Sequence, residues 1–96
     1  MAIASFAPTA TIVLDAGATS SNAALPTTGT PTVAMVTNTG AAPVWVQLGG
    51  SSVTASPSTS LAVMPGAQVA LTIGANTFIA VVAAFAVEGV NVTVGS

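Results

Sequence analysis

FIAVVAAFAV, Phe78 to Val87, is the longest apolar run in the chain, and its reading decides the fold. Two readings are open. Its four Ala residues could support a short helix. Phe78, Ile79, Val81 and Val82, close behind the turn signal GAN at 74–76, favour instead a strand covered on both faces, because aromatic and β-branched side chains suit a pleated surface. With ten residues the run is too short to span a membrane, which takes roughly 20.

Working outward, period-two patterns dominate. In AQVALTI, Val69, Leu71 and Ile73 point one way while Gln68, Ala70 and Thr72 point the other. In VNVTV, Val90, Val92 and Val94 alternate with Asn91 and Thr93. PVWVQLG aligns Val44, Val46 and Leu48, with Trp45 and Gln47 on the opposite face. Each reads as a strand with one core face and one wetter face. Turn signals recur between them: DAG at 15–17, PTTG at 26–29, NTG at 38–40, GG at 49–50, PG at 65–66, GAN at 74–76 and EG at 88–89. The pattern predicts strands over 9–15, 19–24, 32–38, 43–48, 61–64, 67–73, 77–84 and 90–95. SSVTASPSTS, 51–60, reads as a polar surface loop. The expected fold is an all-β, single-domain β-sandwich of seven or eight short strands, immunoglobulin-like or jelly-roll-like.

Composition narrows the function. Only Asp15 and Glu88 carry side-chain charge, and charged residues make up 2% of the 96, against about a quarter in a typical soluble domain. Polarity comes from 14 Thr and 9 Ser; 20 Ala and 14 Val supply much of the apolar content. With no Lys or Arg the chain lacks the usual phosphate contacts, so neither free nucleic acid nor an anionic membrane surface is an expected partner. So little charge gives weak protection against self-association, which suits a surface largely covered by partners.

The same inventory argues against enzymatic chemistry. His, Cys, Lys, Arg and Tyr are all missing, which removes most general acids, bases and activated nucleophiles. Asp15 and Glu88 each fall in an expected turn, and no loop motif supports a metal site, so neither catalytic residues nor a cofactor are expected. LPTTG, Leu25 to Gly29, matches the LPxTG pattern of sortase substrates, but 67 residues follow it and no basic tail exists. It reads as a connection between strands. Asn91-Val92-Thr93 matches a glycosylation sequon inside an expected strand, and MAIASFAPTA lacks the basic start and long apolar stretch of a secretion signal.

Four residues stand out as candidate interface. Trp45 offers much apolar area with few rotors to freeze, and either binds a partner or completes a core on a doubly covered strand. Gln47 shares its face. Ile3 and Phe6 lie in an apolar segment without clean alternation, so residues 1–8 are expected to form an arm that packs on a neighbour, with 9–96 as the sandwich.

TVAMVTNTGAAPVWVQLGGSSVTA, then LAVMPGAQVALTIGANTFIAVVAA and VNVTVG, together resemble small all-β virion proteins of tailed bacteriophages. The resemblance covers residues 32–96. It implies a head decoration or cement protein, bound to the major capsid protein on the capsid exterior, often as a trimer, and it brings no catalytic residues. A tail, fibre or head–tail joining subunit is the alternative virion role. A carbohydrate-binding module stacking sugars on Trp45 is an alternative of another class.

Overall fold

The computed structural model describes residues 8–27, 29–84 and 88–96, and these form eight strands. The strands are β1 (Pro8–Ala16), β2 (Ser21–Ala24), β3 (Val33–Asn38), β4 (Val44–Gly49), β5 (Leu61–Val63), β6 (Gln68–Thr72), β7 (Phe78–Ala83) and β8 (Glu88–Gly95). Every expected strand is present, and the described part of the Phe78 run is β7. There is no helix among the described residues.

The strands form two four-stranded antiparallel sheets, ordered β1-β8-β3-β6 and β2-β7-β4-β5. Every connection except β4–β5 crosses from one sheet to the other. That interleaving is the order of a jelly roll and decides between the two sandwich types left open by the sequence.

Alternation sets the core. Across the first sheet, Ile12, Val92, Val36 and Val69 stand opposite one another and face inward. Across the second, Val81 and Val46 face them, beside Ile79, Ala83, Val44 and Val63, and all of these are buried. Each fully buried Val or Ile contributes roughly 1.5–3 kcal/mol. The inner side chains of β1 and β6, Ile12, Leu14, Val69 and Leu71, are only half-buried because those strands are sheet edges.

β7 explains its own sequence. It lies between β2 and β4, so Ile79, Val81 and Ala83 face the inter-sheet core. Ala80 and Val82, on its other face, are buried in a second cluster with Ala55, against which Trp45 and Val53 pack. A strand covered on both faces has no wet side, so its sequence does not alternate.

The turn signals work as their chemistry requires. At Pro65-Gly66 the amide of Ala67 donates to Met64 O at 2.9 Å, and Gly66 takes φ 76°, as position three of a type II turn demands. LPTTG carries the chain from β2 to β3: Leu25 is buried in the main core, and the Thr30 amide donates to Thr27 O. Thr30 holds φ 48°, an uncommon setting for a β-branched residue. The sequon lies within β8, with Val92 fully buried between the sheets.

Two expectations need correction. Asp15 and Glu88 are in strands, not turns: β1 runs on through Ala16 and β8 begins at Glu88. Continued pairing between these two strands overrides the local turn preference of DAG and EG. Pro8, placed above with the arm, already pairs with Gly95 in β1; residues 1–7, with Ile3 and Phe6, lie outside the described residues.

Candidate functional site

Among the described residues, two sheet faces and one groove carry the features that could meet a partner. The first surface is the outer face of the β2-β7-β4-β5 sheet, which carries Trp45 and Gln47. Trp45 stands directly opposite Val82 on one side and Ala62 on the other, and is half-buried. The connection 50–60, the only one that returns to its own sheet, folds back over this face. Its Val53 is half-buried and Ala55 is buried, so the segment expected as a plain polar loop supplies apolar cover.

Hydrogen bonds fix that cover. Asn22 Nδ2 on β2 donates to the carbonyls of Ser51 and Val53, both at 3.1 Å, and the Ala55 amide donates to Ser20 Oγ at 2.8 Å. Gly49 leaves room for Val53, since a Cβ there would lie 2.7 Å from Val53 Cγ2. Trp45 therefore sits in a small second core of its own chain with part of its surface still accessible. Gln47, opposite Ala80, is exposed, and its Nε2 donates to the Leu48 carbonyl at 3.4 Å.

The second surface is the outer face of the β1-β8-β3-β6 sheet. Register places Thr11, Thr93, Met35 and Ala70 in one row across it, and Val13, Asn91, Thr37 and Gln68 in the next. Many of its polar groups satisfy one another. Thr11 and Thr93 hydroxyls share a hydrogen bond of 2.9 Å, Thr93 Oγ1 donates to Asn91 Oδ1 at 3.1 Å, and Gln68 Nε2 donates to Thr37 Oγ1 at 3.0 Å. Asp15, at one corner, is exposed and stands opposite Gly89. Val13 is 69% exposed, the most exposed large apolar side chain described.

The groove lies at one end of the sandwich, between the β2–β3 and β6–β7 crossovers. It has a volume of about 280 Å³, with Leu25, Pro26, Pro31 and Ile73 among its walls and no ionisable side chain in its described lining. Asp15 and Glu88 come closer than their sequence separation suggests, because β1 pairs with β8 and places them one register step apart. Among the described residues no group of three or more His, Cys, Asp or Glu could hold a metal.

Of the candidate interface residues, the structure brings Trp45 and Gln47 onto one face. Val13 was not singled out by sequence, although a signal existed: it is the apolar member of the Thr11–Val13–Asp15 face of an alternating strand. No family model, curated protein or solved structure matches this chain.

Proposed function

We propose that this chain is a structural virion protein, a decoration or cement protein that binds major capsid protein on the outside of a phage head and stabilises the contacts between its subunits. The observation that carries the reading is the outer face of the β1-β8-β3-β6 sheet. A permanent protein interface must be stripped of water. Burying an unpaired polar group costs free energy, and burying an unpaired charge costs far more. On this face Thr11, Thr93 and Asn91 are linked by hydrogen bonds, Gln68 donates to Thr37, and the charge found among its described side chains is Asp15 at the corner, so part of its polar demand is already met before it is covered. The resemblance over residues 32–96 and the absence of basic residues support a place outside the shell, away from packaged nucleic acid. A jelly roll suits the role as an architecture found in viral capsid domains, although such folds also serve lectins.

Cementing requires many modest contacts repeated by symmetry. The test compares particles with and without this protein for survival on heating or chelation. Particles lacking it should break at lower temperature; equal survival would overturn the reading. Copy number separates the head from a tail or joining role, since a decoration protein scales with the capsid subunits and a tail ring does not.

A further inference from the structure

The longest of the described strands is also a sheet edge. β1 has nine residues and, among the described strands, one ladder partner, β8. Edge strands with free backbone groups invite pairing with another chain, and proteins usually blunt them by shortness, charge, Pro or a bulge. The other three edges are short: β2 has four residues, β5 three and β6 five. β1 carries such devices only at its ends, a register irregularity between Pro8 and Ala10 and the carboxylate of Asp15. Between them runs ATIVL, 10–14, with no charge, no Pro and no Gly.

We propose that β1 pairs antiparallel with β1 of a second copy, about a two-fold axis through Val13. Three features of the strand select this register. Val13, 69% exposed in the single chain, meets Val13 of the copy and both are covered. Asp15 falls opposite Thr11, so no carboxylate faces another. Ile12 falls opposite Leu14 on the inner face, where both are half-buried because the sheet stops at β1. A continued sheet completes their burial and joins the two cores. One step of slip would set inner residues against outer ones, and two steps toward the C-terminal end would put Val13 beside Asp15.

The neighbouring strand permits the approach. The connection 17–20 is short, so β2 lies on the same side of the sandwich as β1, and its Ser21, Asn22, Ala23 and Ala24 present no bulky side chain. In this register both copies turn the same sheet face outward, which makes one continuous platform eight strands wide. A strand pair alone covers less than the roughly 800 Å² per partner of a standard interface, so the pair forms and separates with concentration. The pair has two-fold symmetry, unlike the trimer suggested by the resemblance.

The test uses the purified full chain. Its molar mass by light scattering should rise from the 9.1 kDa monomer toward twice that value between roughly 1 µM and 1 mM. Val13→Lys places two ammonium groups across the axis and should keep the chain monomeric over that range, with an unchanged circular dichroism spectrum and melting curve, since the side chain is exposed. The natural chain has no Cys, so Val13→Cys introduces a single thiol. Directly opposed Cα atoms in an antiparallel pair lie about 4.5–5.5 Å apart, within disulfide range, so mild oxidation should yield covalent dimer much faster than for Thr72→Cys on the opposite edge. A monomer throughout, a trimer, or equal cross-linking of the two Cys variants would each overturn the proposal. With no particle in the test, a monomer here leaves the cement reading standing, and particles unaffected by this chain leave the pair standing.

Discussion

Asn38, on β3, donates from Nδ2 to the carbonyl of Val63, on β5 of the other sheet, at 2.9 Å. The bond ties the two layers together at the end of the sandwich where β3 turns into β4 and β5 into β6. The same nitrogen donates to Ala42 O at 2.8 Å, and Oδ1 accepts the Gly40 amide at 2.9 Å. The backbone of Asn38 also donates to Ala67 O and accepts from Gly66 N. One fully buried polar residue thus satisfies two turns at once.

Asn38→Ala should therefore be among the most damaging single changes. It removes the two bonds that Nδ2 donates to Ala42 O and Val63 O and the turn that Oδ1 organises, at about 0.5–1.5 kcal/mol for each bond lost. A total loss of roughly 2–4 kcal/mol is expected from urea unfolding, a large share of the 5–15 kcal/mol of a typical domain. Asn38→Asp keeps the shape but loses both donated bonds and should be no milder. A midpoint unchanged by Asn38→Ala would show that the bridge between sheets contributes little.

Ile79, fully buried near the start of β7, reports on the main core. Ile79→Val should cost about 0.5–1.5 kcal/mol and Ile79→Ala about 2–5, the difference growing with the cavity left behind. Equal effects of the two substitutions would mean that the sheets collapse around the site without loss of packing.

The cover over Trp45 can be followed optically because the chain has a single tryptophan. Asn22→Ala removes both side-chain bonds to the 50–60 segment, and Gly49→Ala pushes a methyl group into Val53. Each should shift Trp45 emission to the red as the segment lifts, with a modest cost of about 1–3 kcal/mol for the overpacked variant. Emission that stays at the wild-type wavelength in both would indicate that the segment does not shield the indole. In a glycan-binding screen, signal abolished by Trp45→Ala would instead favour the carbohydrate reading.

Deleting residues 2–7 should leave the domain folded, since every strand pairing described begins at Pro8 or later. The melting curve of the truncated chain should match that of the full one, while its attachment to capsids weakens. Unfolding of the truncated chain in isolation would assign Ile3 and Phe6 to its own core.

The strands of this protein could be read from its sequence because their causes are local. Alternation in AQVALTI and VNVTV follows from the two-residue repeat of the extended backbone, and Pro65-Gly66 and Asn38-Thr39-Gly40 specify turns through φ preferences and a side-chain hydrogen bond within a few residues. Even the doubly covered β7 was legible in its β-branched content. What covers it was not. The chemistry of SSVTASPSTS is that of a loop, and only the close approach of β2 and β4 brings Asn22 and Gly49 to hold Val53 and Ala55 over Ala80 and Val82. Strand order likewise depends on pairings between distant residues, Ile12 with Val92 or Val36 with Val69, and identical alternating faces would fit an immunoglobulin-like sheet as well as a jelly roll. The sequence alone determined which segments extend and which turn, because backbone sterics and side-chain periodicity act over a few residues. Which strands become edges, which apolar side chains find cover and where Val13 is left exposed were decided by the tertiary structure, since burial belongs to the whole packed molecule.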